Sequence, residues 1–151
     1  MSSSAVARPV VQARLLLVDD NGLGLQARRA VLEEQGYRVT AVASPQDALN
    51  RLIETQFDLI ITDHKFQDMS GVDLIRTLRQ QGISTPVILL SGFVDTLGLD
   101  EKNTGADVVL QKSANEISHL CRAVRQLLRR KAPKKPAKAE GGGVRRARKK
   151  A

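Results

Sequence analysis

Cysteine occurs once in the 151 residues, at Cys121, and tryptophan does not occur. A single thiol excludes a disulfide framework and a thiolate metal cluster. Cys121 falls in the helical pattern Ile117, Leu120, Cys121, Val124, Leu127, Leu128, which assigns it to a core as a small buried hydrophobe. Histidine occurs only at His64 and His119. No second histidine stands at metal-ligand spacing from either, so both are expected to be exposed or locally bonded. No apolar run approaches the roughly 20 residues of a membrane span, and MSSSAVARPVVQAR at the start lacks the apolar stretch of a signal peptide. The expectation is no membrane insertion and a reducing cytoplasm.

Acidic charge is nearly missing from one stretch. The formal net charge is +8, and residues 131–151 carry nine of the 24 Lys/Arg against one acid, Glu140. Residues 1–130 hold fifteen of each sign and are neutral. A polyanion argument therefore applies to the tail alone. That tail, KAPKKPAKAEGGGVRRARKKA, lacks apolar anchors and is expected to be disordered. Lys134, Lys135, Arg145, Arg146, Arg148, Lys149 and Lys150 suit non-specific, salt-sensitive contact with DNA or RNA. Solvated disorder and docking to a protein or membrane surface remain open beside that reading. No aromatic residue interleaves these charges for base stacking, and no helix-turn-helix follows the preceding domain.

What is present is alternation. Short runs rich in Val, Ile and Leu, at Arg14–Val18, Tyr37–Val42, Leu59–Thr62, Val87–Leu90 and Asp107–Leu110, alternate with helical stretches near 21–35, 45–55, 70–81, 95–104 and 114–130. Four of the five runs lack polar alternation, as strands buried on both faces of a parallel sheet do. The reading is an α/β domain over 13–130 with right-handed βαβ crossovers, after a flexible lead over 1–12. Ser44-Pro45, Ser70 with Asp73, and Ser113 with Glu116 have the spacing of helix starts. Gly98 weakens the stretch 95–104 by about 1 kcal/mol relative to alanine.

Chemistry gathers at the carboxyl ends of three of these runs: Asp19-Asp20 after Leu15–Val18, Asp63 after Leu59–Thr62, and Lys112 after Val108–Gln111. Strand carboxyl ends form the ligand crevice of an open α/β sheet. Three acids and a lysine there suit a divalent cation and a phosphoryl group, because Mg²⁺ takes one or two carboxylates and keeps several waters. A carboxylate can itself be the nucleophile, forming an aspartyl phosphate. Ser91 ends a fourth run and can donate to a phosphoryl oxygen. A competing pattern, Gly22-Leu23-Gly24-Leu25-Gln26-Ala27, matches the G-x-G-x-x-A of dinucleotide sites. It is set aside because Asp19 and Asp20 would face the pyrophosphate and no acid ends the run at Val42 to hold a ribose.

In LLLVDD (15–20), DLIITDHKFQDMSGVDLI (58–75), PVILLSG (86–92) and GADVVLQK (105–112) the chain resembles the receiver domain of two-component response regulators. The resemblance spans residues 13–130 and implies a flavodoxin-like doubly wound (βα)5 fold with strand order 2-1-3-4-5. It implies that Asp63 accepts a phosphoryl group from a sensor histidine kinase or a histidine phosphotransfer protein. It implies Mg²⁺ held by Asp20 and Asp63 and the backbone carbonyl of Lys65, with Asp19 acting through water, and phosphoryl contacts from Ser91 and Lys112. Gln67 and Ser113 stand where the family usually has proline, and Val109 where it usually has the aromatic switch residue. The whole reads as a stand-alone receiver that signals to a downstream protein by contact, and not as an enzyme in the ordinary sense. The alternatives are a nucleic-acid-associated protein with a degenerate receiver, or a phosphate sink.

Overall fold

The computed structural model describes residues 12–131. The tail residues Lys134, Lys135, Arg145, Arg146, Arg148, Lys149 and Lys150 lie outside the described residues, as does the lead before Gln12.

Five strands, β1 (Arg14–Val18), β2 (Arg38–Val42), β3 (Leu59–Asp63), β4 (Val87–Ser91) and β5 (Val108–Gln111), pair in parallel in the order β2-β1-β3-β4-β5. The helices are α1 (Gly22–Glu34), α2 (Pro45–Glu54), α3 (Gly71–Gln80), α4 (Val94–Leu97), α5 (Glu101–Thr104) and α6 (Glu116–Lys131). This is the flavodoxin-like doubly wound sheet that the sequence implies. The central strands β1, β3 and β4 are buried almost throughout, whereas β2 and β5, at the edges, are less covered.

Strand side chains alternate between two faces. Leu15, Leu17, Leu59, Ile61, Ile88 and Leu90 pack against Leu32 of α1 and Leu120, Val124 and Leu127 of α6. Leu16, Val18, Ile60, Val87 and Leu89 pack on the other face, against Ala48 of α2 and Leu74, Ile75 and Leu78 of α3. Burying an aliphatic side chain contributes about 1.5–3 kcal/mol, so these two layers hold the sheet and fix where its strand ends fall. Cys121 is buried on α6, as its helical spacing predicts. Burial pushes its thiol up, only partly offset by Arg125 nearby. Its reaction with a disulfide reagent is therefore expected to be at least about tenfold slower in the native protein than in denaturant, measured as the rate of thiolate release.

Two helix expectations change. The stretch 95–104 is not one helix: Gly98, at φ 65°, ends α4 in the left-handed region, and Asp100 starts α5 with a capping box to Asn103. The expected capping box from Ser113 to Glu116 does not form. Ser113 Oγ accepts from Asn115 N–H at 3.3 Å, and the Glu116 carboxylate turns inward to Arg28. The other two helix starts form as expected, with Ser44 accepting from Asp47 N–H and Ser70 and Asp73 closing a full box. Among the described residues no helix is long and apolar enough to cross a membrane.

Candidate functional site

The parallel register sets the site. β1 pairs with β3 through Val18 and Thr62, and β3 with β4 through Asp63 and Leu90. Asp19 and Asp20 thus leave β1 beside the last residue of β3, with Ser91 one position beyond on β4. Carboxylate oxygens of Asp19, Asp20 and Asp63 lie within 4.8 Å of one another. An all-oxygen donor set of that size fits a hard cation such as Mg²⁺ and lacks the nitrogen and sulfur ligands that softer metals favour.

Lys112, just after β5, is held by its N–H donating to Ser91 O at 2.8 Å, and its ammonium lies 2.7 Å from Asp63 Oδ1. His64 N–H donates to the same Oδ1 at 3.0 Å. Ser91 is buried and its Oγ accepts from Phe93 N–H at 3.0 Å, which leaves its own hydroxyl proton to be donated. These groups meet in a cleft of about 930 Å³ lined by Asp20, Asp63, Lys65, Ser91, Phe93 and Lys112, among others. The Lys65 ammonium stands over the Phe93 ring, 5.7 Å from its centroid, across the cleft wall. His64 departs from expectation, being half-buried with Nδ1 lacking a hydrogen-bond partner.

Gly71 lets α3 begin against the end of β3. A Cβ there would lie 2.4 Å from Asp63 O, 2.7 Å from Leu89 Cδ1 and 2.9 Å from His64 Cα. Its N–H donates to His64 O at 2.7 Å. Asp73 caps the same turn and is held below the usual carboxylate range by the Ser70 N–H it accepts. Val109 is half-buried against the α3-side core, and its N–H donates to Glu101 Oε2 at 2.9 Å.

Sequence reading missed Arg28 and Glu116. Arg28 lies on the buried face of α1, between Leu25 and Leu32, and its guanidinium bridges two acids. Nη1 donates to Asp19 Oδ2, while Nε and Nη2 form a fork on Glu116, the second bond 3.1 Å long. Burial opposes the charge on Arg28, but the Glu116 hydrogen bond and the fields of Glu116, Asp19 and Asp63 outweigh it and hold the guanidinium more firmly protonated. The legible signal was an arginine at the i+3 position of an apolar stripe that continues at i+7. Gly24 makes room for the bridge, since a Cβ there would lie 3.1 Å from Arg28 Nη1 and 3.3 Å from Asp19 Oδ2. The G-x-G-x-x-A spacing is thus absorbed by an ion pair, with Asn21 capping α1 ahead of it.

Comparison with known proteins agrees with this geometry. Residues 15–125 match the family described as response regulator receiver domain. Response regulator PmrA of Pseudomonas aeruginosa is 38% identical over 121 residues, covering 78% of this chain and 53% of PmrA. Two-component response regulator PhoP of the same organism is 42% identical over 78 residues, covering 52% of this chain and 35% of PhoP. The chain therefore spans less than two thirds of the curated relatives it matches. The Francisella response regulator 1452 receiver domain superposes with a TM-score of 0.73 at 29% identity, over 80% of this chain and 100% of that one. Response regulator TrrA from Thermotoga maritima, solved in complex with Mg²⁺-BeF, superposes with a TM-score of 0.68 at 25% identity, over 77% of this chain and 99% of that one. Sheet order, strand-end acids and this match over most of the described residues together place the chain in the response regulator receiver domain family of two-component systems.

Proposed function

We propose that this receiver accepts a phosphoryl group on Asp63 from the phosphohistidine of a kinase or phosphotransfer protein. The observation that carries the reading is the Lys112 ammonium 2.7 Å from Asp63 Oδ1, inside a cluster of three carboxylates. A carboxylate oxygen of Asp63 attacks phosphorus, the phosphorus–nitrogen bond breaks, and the imidazole leaves with its electron pair and takes up a proton. Response regulator TrrA, a structural neighbour solved with Mg²⁺-BeF, supports Mg²⁺ as the cation. Asp20, Asp63 and the Lys65 carbonyl would hold it, with Asp19 behind them, and it would offset the repulsion between phosphoryl oxygens and carboxylates. Lys112 neutralises one phosphoryl oxygen and the Ser91 hydroxyl donates to another, Ser91 being held by the β4–β5 pairing and Lys112 by its N–H to Ser91 O. Val109 carries no ring to rotate, and the exposed apolar side chains Phe93 and Leu97 on the cleft rim are the surface a partner would read.

The test uses intact protein, Mg²⁺ and a small acyl phosphate donor, followed by mass spectrometry. The wild type gains one phosphoryl group and Asp63→Asn gains none. Absence of any phosphorylated wild type, or equal labelling of Asp63→Asn, would refute the assignment.

A further inference from the structure

We infer that Arg28 is a built-in counter-cation of the acid cluster, a positioning residue that weakens and sets the site's affinity for its divalent cation. The inference rests on the proposed metal-dependent phosphoacceptor and adds a residue outside it.

Three carboxylates converge at the strand ends, and two already face a cation of the chain. Asp63 takes Lys112 and Asp19 takes Arg28. Asp20 alone has no ion pair among the described residues, and it is the exposed member. The cluster thus meets an incoming cation with most of its charge compensated. Arg28 is also anchored from behind, where Glu116 at the start of α6 grips it through two nitrogens.

A structural salt bridge alone accounts poorly for this arrangement. Arg28 occupies a position on the apolar stripe of α1, where a hydrophobic side chain of similar volume often gives equal or better stability than a buried ion pair. Its partner is moreover one of the three convergent acids and not an unrelated surface group. Gly24, with no side chain to block the path, keeps Arg28 within reach of Asp19. The arrangement fixes Asp19 as well: Oδ1 accepts from Asn21 N–H at 2.8 Å while Oδ2 accepts from Arg28. The fork of Glu116 on Arg28 also ties the site to the start of α6.

Opposite charge changes at the two ends of this unit have opposite consequences. Arg28→Gln removes the competing cation, and Mg²⁺ binding measured by calorimetry tightens by about tenfold, the order expected for one unit charge near a divalent ion. Glu116→Gln leaves Arg28 paired with Asp19 alone and removes a negative charge from behind the cluster, so Mg²⁺ binding weakens. Arg28→Lys keeps the charge and returns affinity toward wild type. Mg²⁺ also raises the melting temperature of Arg28→Gln more than that of wild type, as tighter binding to the folded state requires. Damage to packing alone would move both Gln variants in the same direction. Unchanged or weaker binding in folded Arg28→Gln overturns the inference. If that variant does not fold, unchanged or tighter binding in Glu116→Gln overturns it instead. Wild-type protein that binds no Mg²⁺ would refute the underlying metal site, a result separable from both.

Discussion

Replacing Lys112 by alanine is expected to slow phosphorylation of Asp63 by about 10²–10³-fold, the loss that follows removal of one preorganised charge-stabilising donor. Phosphoryl transfer places negative charge on oxygens beside three carboxylates. Lys112 is the ammonium already in contact with Asp63, the proposed acceptor, and its backbone is tied to Ser91 O at 2.8 Å. Little reorganisation is needed when charge develops, which is why such a donor contributes more than a mobile surface lysine would. The measurement is the initial rate of acyl-phosphate formation with a small donor at saturating Mg²⁺. Lys112→Arg should recover part of the rate, since it restores the charge with a different reach. A rate for Lys112→Ala within about threefold of wild type would remove Lys112 from the phosphoryl-stabilising role.

Gly71→Ala is the substitution expected to damage the fold most from the smallest chemical change. The added Cβ would meet two groups that cannot rotate away, Asp63 O at 2.4 Å and His64 Cα at 2.9 Å, together with a fully buried leucine side chain. Relief requires α3 to lift from the end of β3, breaking the 2.7 Å Gly71–His64 hydrogen bond. Overpacking of this kind costs about 1–3 kcal/mol, read as a lower denaturation midpoint in urea. Because the displaced strand end carries Asp63, phosphorylation should slow as well. Gly82→Ala is the control. Its φ is +79°, but its Cβ would meet nothing within 4 Å, so only backbone strain of about 1–2 kcal/mol applies and the site is untouched. Equal phosphorylation rates in the two variants would show that the α3 start does not position Asp63.

Much of the fold is legible because its signals are local and repeated. Runs such as Leu15–Val18 and Val87–Leu90 can be satisfied only where both faces are covered, and the intervening helical patterns supply the covers. The ends of the runs place Asp19, Asp20, Asp63, Ser91 and Lys112 on one rim. Gly98 already weakens its helix on propensity, but the sequence does not show that it takes φ 65° and divides the segment into α4 and α5. That outcome depends on Leu99 reaching the α3-side core and Asp100 opening a new cap.

Glu116 illustrates the opposite case. Its spacing from Ser113 is that of a capping box, and a local rule assigns it to the helix start. The structure gives it a stronger partner 88 positions away in sequence, the Arg28 fork. A bidentate pair between two full charges outweighs a single carboxylate–amide cap, and only the packing of α1 beside α6 brings the two together.

Sequence alone therefore determined the strand runs, the neutral domain with its basic tail, and the identity of the acids and lysine, because each is written in composition or short-range period. Tertiary structure alone decided which charges compensate one another: Lys112 with Asp63, Arg28 with Asp19 and Glu116, Asp20 without a partner among the described residues. Coulomb energy depends on distance through space, and the parallel register, not chain order, sets those distances.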